Sequence, residues 1–136
     1  MSPELKVEVS YTMQFDVLIV DDNDLVRKTL EQVLAIHSLS YISVTNGSKA
    51  LNLLTNNEVK FIISDIDMPV MNGLELAKRV RETYPDVTIV AFTGSSGNYL
   101  LGDAEKYFHT IYSKSESAMI MAGQIRNILQ EQLAMA

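Results

Sequence analysis

The chain lacks cysteine and tryptophan altogether and has only two histidines among its 136 residues. Without cysteine there can be no disulfide, no thiolate zinc site and no cysteine nucleophile. Two histidines are too few for a histidine-rich metal centre. No apolar run reaches the roughly 18 residues that a membrane-spanning helix needs, so membrane insertion is not expected. These absences disfavour any site that depends on cysteine or on several histidines.

Positive charge is also scarce, since 11 Lys and Arg residues stand against 17 Asp and Glu residues, for a formal net charge of −6. Direct binding to nucleic acid needs clustered basic side chains and is therefore disfavoured. The acidic balance suits a protein that binds a hard cation, or one that is kept soluble by its charge. The N-terminus lacks the charged-then-apolar order of a secretory signal, so a cytoplasmic protein is expected.

Short apolar runs alternate with helix-like segments along most of the chain. Val26, Leu30 and Leu34 illustrate the helical spacing of the first such segment. The runs are rich in β-branched residues, as is typical of strands covered on both faces of a parallel sheet. They comprise residues 16–20, 41–44, 61–63, 88–92 and 110–112. This pattern predicts an α/β fold, a doubly wound five-stranded parallel sheet of order 2-1-3-4-5 with flavodoxin-like (βα)5 topology.

The length suits a single domain, which we expect to comprise residues 15–136. Residues 1–14 fall outside the βα pattern and form a predicted N-terminal extension. Val7, Val9 and Tyr11 alternate there with polar residues, which leaves an extra edge strand and a mobile tail as alternatives.

Polar residues follow four of the five predicted strands. Asp21 and Asp22 follow the first, Asp65 the third, Thr93 the fourth and Lys114 the fifth. Ligands bind outside the carboxyl ends of the strands in an open parallel sheet, and the predicted order makes the first and third strands neighbours. Three carboxylates are therefore expected at one edge, flanked by a hydroxyl and an ammonium.

Carboxylates packed this closely repel one another unless a cation neutralises them. An oxygen-only cluster favours Mg²⁺, or Mn²⁺, which would be completed by waters and a substrate phosphate. Asp65 can then act as a nucleophile on phosphorus, because aspartyl phosphates are an established covalent type. Lys114 would neutralise the transferred group and the Thr93 hydroxyl would donate to one of its oxygens.

Each of these residues has an ordinary structural role when it is taken alone. Asp22 suits a helix cap, and Thr93 suits a turn. Lys114 suits a solvated surface, and Asn72-Gly73 suits a turn that tolerates positive φ. Their convergence at the ends of neighbouring strands is what favours a functional site.

The chain resembles the receiver domain of two-component response regulators, the CheY-like family. The resemblance covers most of the chain and rests on Val20-Asp21-Asp22, on Thr93-Gly94, on Lys114, and on residues 65–73, which read Asp-Ile-Asp-Met-Pro-Val-Met-Asn-Gly. It implies that Asp65 takes a phosphoryl group from the phosphohistidine of a histidine kinase in a Mg²⁺-dependent reaction.

The resemblance also implies the metal ligands and the readout. Asp22 and Asp65 would bind Mg²⁺ directly and Asp21 through water, and the backbone carbonyl of Asp67 would supply a further ligand. Phosphorylation would move Thr93 and shift the surface formed by the fourth helix, the fifth strand and the fifth helix. The Asp67 side chain adds a negative charge that we expect either to strengthen metal binding or to slow anionic phosphodonors.

Two positions depart from the family pattern. The proline that usually follows the lysine is Ser115, so the Lys114–Ser115 peptide is either trans, with a different loop, or cis at a cost of roughly 2.5–4 kcal/mol. The switch aromatic, three residues before the lysine, is Ile111, and Tyr112 is predicted to point to the opposite face. With Thr93 these two residues form the predicted switch region, and its aromatic readout is less well supported than the phosphorylation chemistry.

Two other functions are open. One is a haloacid-dehalogenase-like phosphatase, since residues 61–67 resemble an apolar strand followed by Asp-x-Asp, although that motif belongs on the first strand. The other is a pseudo-receiver, a binding module without regulated phosphorylation, for which Ser115 and Ile111 are the only support.

The resemblance implies a signalling module that at most phosphorylates and dephosphorylates itself, rather than an enzyme. The expected partners are a sensor histidine kinase or phosphotransfer protein, and an output protein bound through the surface of helix four, strand five and helix five. A stand-alone receiver is expected, which would signal through protein contacts or act as a phosphorelay shuttle. A receiver excised from a larger regulator or hybrid kinase is the alternative.

Overall fold

A parallel sheet of five strands organises the chain. The computed structural model describes residues 12–94 and 98–135, and the backbone alone at 98–101. The strands and helices alternate as β1 (Met13–Val20), α1 (Asp24–Ile36), β2 (Tyr41–Val44), α2 (Gly47–Leu54), β3 (Asn57–Ser64), α3 (Gly73–Thr83), β4 (Thr88–Thr93), α4 (Asn98–Tyr107), β5 (Thr110–Ser113) and α5 (Ala118–Met135). The order β2-β1-β3-β4-β5 confirms the predicted doubly wound α/β fold. No helix within the described ranges is long and apolar enough to cross a membrane.

The sheet separates two apolar cores, one under α2, α3 and α4 and the other under α1 and α5. Leu18 and Val20 of β1 point into the first core, and Val17 and Ile19 point into the second. All four are fully buried, and burial of each such side chain contributes about 1.5–3 kcal/mol. Coverage on both faces explains why the strand reads as a continuous apolar run.

The two central strands are longer than their apolar runs. β1 begins at Met13 and β3 at Asn57, and these two residues are partners in the parallel register. Met13 and Gln14, which were expected in the N-terminal extension, therefore belong to β1. Of the rest of the predicted extension, Thr12 precedes β1, and residues 1–11 lie outside the described residues. The edge strand expected at Val7, Val9 and Tyr11 therefore stays a prediction.

Asparagine caps start the three helices that follow the first three strands of the chain. Asn23 Oδ1 accepts from the Val26 amide at 3.0 Å, and Asn72 Oδ1 accepts from the Glu75 amide at 2.9 Å. Asn46 caps α2 in the same way. Such caps contribute about 1 kcal/mol each. They also fix the loops at the carboxyl edge of the sheet, where the predicted site residues lie.

Candidate functional site

Asp21 and Asp65 directly follow the two central strands. Val20 lies opposite Ser64 in the register of β1 and β3, so the next residue of each strand meets the other at the sheet edge. The Asp65 amide donates to the Val20 carbonyl at 3.0 Å, which extends the ladder by one residue. The backbone of the sheet itself therefore holds the two carboxylates together.

Asp22 completes an acidic cluster at this edge. One carboxylate oxygen from each of Asp21, Asp22 and Asp65 lies within 4.8 Å of the other two. Asp21 and Asp65 are buried, whereas Asp22 is exposed. The Asp67 side chain is exposed, and its carboxylate is not part of this cluster. Three convergent carboxylates are a donor set that fits a hard cation such as Mg²⁺.

Lys114 bridges the two buried carboxylates. Its Nζ lies 2.9 Å from Asp21 Oδ2 and 3.1 Å from Asp65 Oδ2. The backbone amide of Lys114 donates to the Thr93 carbonyl at 2.9 Å, which ties the end of β5 to the end of β4. One ammonium (+1) and three carboxylates (−3) sum to a formal charge of −2. A bound divalent cation would therefore neutralise the cluster.

The shared ammonium does not fully compensate Asp21. Burial raises the pKa of the Asp21 carboxyl above its ordinary value of 3.8, and the neighbouring Asp65 charge raises it further. Hydrogen bonds from the Asn23 amide and from Lys114 oppose this rise in pKa. For Lys114, burial alone would lower the pKa, but its bonds to two carboxylates outweigh burial and raise the pKa above the ordinary value of 10.5. Lys114 is therefore charged, whereas the surroundings of Asp21 act against its ionisation.

The Asp65 carboxylate is held in one orientation. Its Oδ1 accepts the Ile66 amide at 2.8 Å, and its Oδ2 accepts Lys114 Nζ at 3.1 Å. A carboxylate oxygen has about two acceptor positions, so each oxygen keeps a lone pair for a metal or a reacting atom. The side chain is 10% exposed, which leaves a narrow approach to a buried, oriented nucleophile.

Gly73 allows the loop after β3 to fold back onto Asp65. A Cβ built at Gly73 would lie 2.0 Å from the Asp65 carbonyl oxygen, far inside any tolerable contact. The Gly73 amide donates to the Ile66 carbonyl at 2.8 Å, which closes the loop. Asn72 and Gly73 tolerate positive φ, but neither residue adopts it here. The glycine is required for space rather than for backbone conformation.

The positive φ in this loop falls at Val70. Its φ is 71°, and the Met71 amide donates to the Pro69 carbonyl at 2.8 Å, so Pro69, Val70 and Met71 form a γ-turn. A β-branched residue in this region is an outlier that costs on the order of 1–3 kcal/mol. Sequence patterns had no signal for it, since valine is a typical strand residue.

Thr93 is the last residue of β4 and lies opposite Ser113 of β5. It is 4% exposed, so its position at the carboxyl edge is confirmed while its role stays a prediction. Ile111 packs towards the core under α2, α3 and α4, and Tyr112 packs towards the core under α1 and α5. The predicted opposite orientation of these neighbours is confirmed. The Tyr112 hydroxyl donates to Gln124 of α5 at 2.5 Å.

Three further residues near the site, Arg27, Ser113 and Glu116, were missed by sequence reasoning. Arg27 of α1 donates to the Asp21 carbonyl at 2.7 Å and pairs with Asp24. Ser113 and Glu116 hydrogen-bond within the turn after β5, around a trans Lys114–Ser115 peptide. The trans alternative, with its own loop, is therefore the correct one. Arginine, serine and glutamate are too common on surfaces for their spacing to have signalled these contacts.

A doubly wound sheet with an acidic cluster and a lysine at its carboxyl edge defines the class, and comparison with known proteins gives the family. The profile of the response regulator receiver domain matches residues 17–108, so the chain belongs to that family. Receiver domains are signalling modules of two-component systems that bind Mg²⁺ at an acidic pocket and interact with histidine kinases and output domains. This assignment is inconsistent with the haloacid-dehalogenase alternative.

Similar proteins include a CheY homolog and a much larger sensor kinase. The chain is 39% identical over 85 residues to a chemotaxis protein CheY homolog of Campylobacter jejuni, covering 60% of this chain and 65% of that protein. It is 37% identical over 81 residues to the autoinducer 1 sensor kinase/phosphatase LuxN of Vibrio campbellii, covering 60% of this chain and 10% of that protein. The chain thus spans less than two thirds of the length of these relatives.

Solved structures share the fold over nearly the whole chain. The signal receiver domain of an HD domain-containing protein from Pseudomonas fluorescens superposes with a TM-score of 0.79 at 25% identity, covering 90% of this chain and 98% of that one. A CheY-like receiver domain protein from Methanospirillum hungatei gives a TM-score of 0.80 at 19% identity, covering 92% and 99%. The second likeness bears on the fold alone.

Proposed function

We propose that this chain is a phosphorylation-controlled receiver in which Asp65 accepts a phosphoryl group from the phosphohistidine of a histidine kinase or phosphotransfer protein. One observation carries the proposal: the Asp65 carboxylate is buried, lies in a cluster of three carboxylates, and is 3.1 Å from the Lys114 ammonium. A carboxylate with a purely structural role would not require two further carboxylates beside it.

The transfer makes one bond and breaks one bond. A carboxylate oxygen of Asp65 attacks phosphorus, the phosphorus–nitrogen bond of phosphohistidine breaks, and the electron pair stays on the imidazole nitrogen. The product is a mixed anhydride on Asp65. Since phosphoryl transfer depends on position and charge neutralisation, the fixed orientation of Asp65 is the larger part of what this chain contributes.

Two side chains flank the reacting group in this proposal. Lys114 moves its ammonium from the Asp65 carboxylate to a phosphoryl oxygen, and Thr93 donates its hydroxyl to another. Asp21, Asp22, Asp65 and the backbone carbonyl of Asp67 would hold Mg²⁺, and the ion would supply the remaining positive charge. The excess formal charge of −2 in the cluster supports a divalent ion there.

The signal passes to a partner through the surface of α4, β5 and α5. The proposed switch region consists of Thr93 at the end of β4 and of Ile111 and Tyr112, which lie on opposite faces of β5. Tyr112 is the member that contacts α5. Its hydrogen bond to Gln124 supports a role in fixing β5 to α5 rather than in a rotation towards α4. The chain is proposed to act in the cytoplasm, and both protein-binding output and phosphorelay are compatible with this surface.

The test is covalent labelling with a small phosphodonor. The chain is incubated with phosphoramidate and Mg²⁺ and analysed by intact mass and on Phos-tag gels. We expect one added phosphoryl group that hydroxylamine removes, as an acyl phosphate requires, and that Asp65→Asn and EDTA abolish. Asp86→Asn, a change at an exposed aspartate of the described surface, serves as the matched control and should label normally. Absence of label on the wild type would establish the pseudo-receiver instead.

A further inference from the structure

The turn between β5 and α5 carries Lys114 as its second residue. The Ser113 carbonyl accepts the Glu116 amide at 2.9 Å, which is the bond between first and fourth residues of a β-turn. Lys114 and Ser115 are therefore the two central residues. The conformation of this turn sets the point from which the Lys114 side chain reaches towards the acidic cluster.

Side chains close the same turn from both ends. Ser113 Oγ accepts the Ser115 amide at 3.2 Å and lies 2.7 Å from Ser115 Oγ. Glu116 Oε1 accepts the Ser113 amide at 3.2 Å. A hydroxyl that bonds the backbone two residues further on is a recurrent way to stabilise a turn. Together these bonds enclose the Lys114–Ser115 peptide.

Lys114 needs such support because its side chain is long and flexible. An ammonium at the end of a four-carbon stem loses rotamer freedom when it is fixed, and Lys114 is fixed at two contacts, 2.9 Å and 3.1 Å long. Its amide is also held, by the Thr93 carbonyl at 2.9 Å. Once backbone and turn are fixed, only the stem has to move when negative charge is added at Asp65.

We propose that Ser113 and Glu116 are positioning residues that hold the turn so that Lys114 Nζ can neutralise the phosphoryl group on Asp65. This inference rests on the proposed phosphoacceptor role of Asp65. Both residues act through Lys114 and do not touch the reacting atoms. Displacement of a catalytic group by about 1 Å can cost a hundredfold in rate, so a turn that is loosened rather than lost should give a smaller effect.

The experiment compares isosteric substitutions at Ser113. Ser113→Thr keeps the hydroxyl and Ser113→Val removes it, and both β-branched residues suit the end of a strand. With phosphoramidate as donor, we expect Ser113→Thr to label at the wild-type rate and Ser113→Val to label about three- to tenfold more slowly, the range expected for one lost hydrogen bond. Glu116→Gln keeps a hydrogen-bond acceptor, so its labelling rate should likewise exceed that of Glu116→Ala.

Three controls separate positioning from general damage. The Kd for Mg²⁺, measured by calorimetry, should stay within about twofold in the single variants of Ser113 and Glu116, since Asp21, Asp22, Asp65 and Lys114 are intact there. In a Lys114→Ala background, Ser113→Val should have no further effect on the rate, because Ser113 acts through the lysine. Ser40→Ala removes a hydroxyl that accepts the Asp16 amide at 2.8 Å, at the start of β1 and far from the turn, and should leave the rate unchanged.

Each outcome points one way. Wild-type labelling with equal rates for Ser113→Thr and Ser113→Val overturns the inference and leaves the proposed function intact. A full additional loss of rate in the Lys114→Ala background overturns it too, because Ser113 would then act elsewhere. A wild type that takes no label overturns the proposed function and the positioning role together.

Discussion

At the scale of single residues, Asp21 is a buried carboxylate whose ionised form is disfavoured by its surroundings. Its pKa is raised by burial above 3.8. A carboxyl with a higher pKa in the folded than in the unfolded state contributes stability that is present below the unfolded pKa and lost as pH rises through the folded pKa. Ionised Asp21 therefore destabilises the metal-free fold at neutral pH.

We predict that Asp21→Asn raises the melting temperature of the metal-free protein at pH 7. The gain should shrink as the pH is lowered below 3.8, where the wild-type carboxyl becomes protonated in both the folded and the unfolded state. Thermal melts in EDTA, followed by circular dichroism across this range, measure it. Asp103→Asn, at an exposed residue of α4, is the control and should show no such trend. A lower melting temperature for Asp21→Asn at pH 7 would contradict the electrostatic assignment.

Gly73 gives a second residue-scale prediction, because a Cβ there would lie 2.0 Å from the Asp65 carbonyl oxygen. Gly73→Ala should reduce the free energy of unfolding by about 3 kcal/mol, since backbone must shift. It should also slow labelling of Asp65. Urea unfolding checks the stability. Gly102→Ala, in α4 with nothing within 4 Å of the added Cβ, is the control and should be neutral or stabilising by about 1 kcal/mol. A loss below about 1 kcal/mol for Gly73→Ala would refute the close-approach argument.

At the scale of elements, the sequence predicted what burial dictates and missed what loop geometry dictates. The strands were found because both faces of β1 and β3 are covered at their carboxyl halves. Their less buried starts, at Met13 and Asn57, carry no continuous apolar signal. Asp21 and Asp65 were placed correctly because strand ends meet at one edge. Arg27, Ser113 and Glu116 were missed since their bonds depend on turn conformation, to which periodicity is blind.

The loop between β3 and α3 shows the same limit at Val70. Its φ of 71° is not written in any pattern of apolar residues, and its side chain is 82% exposed. Glycine adopts positive φ without a Cβ penalty, so Val70→Gly should raise the free energy of unfolding by about 0.5–1 kcal/mol while removing little apolar burial. Chemical denaturation measures the change. Leu25→Gly, at a residue of α1 that is 73% exposed and lacks positive φ, should instead destabilise by about 1 kcal/mol. If Val70→Gly is no more stable than wild type, the γ-turn is not strained.

At the scale of the whole molecule, fold and site are coupled through the acidic cluster. A ligand that binds only the folded state stabilises it by about 2.7 kcal/mol at a hundredfold excess over Kd. The sheet edge concentrates a formal charge of −2 on a chain whose net charge is −6, so a divalent cation should act on global stability and not only on the loops. The fold order made this edge predictable, whereas the bridging of Asp21 and Asp65 by Lys114 required the structure.

Magnesium should therefore raise the melting temperature of the wild type, and Asp22→Asn should remove most of that rise because it deletes the exposed carboxylate of the cluster.

Asp67→Asn distinguishes the two effects expected of its extra charge. A weaker Mg²⁺ affinity would show that Asp67 attracts the metal, and faster labelling by anionic acetyl phosphate, with unchanged affinity, would show that it repels the donor. Both effects are screened by salt, so titrations at low and high ionic strength should converge. If Asp67→Asn alters neither quantity at low salt, its charge plays no part at the site.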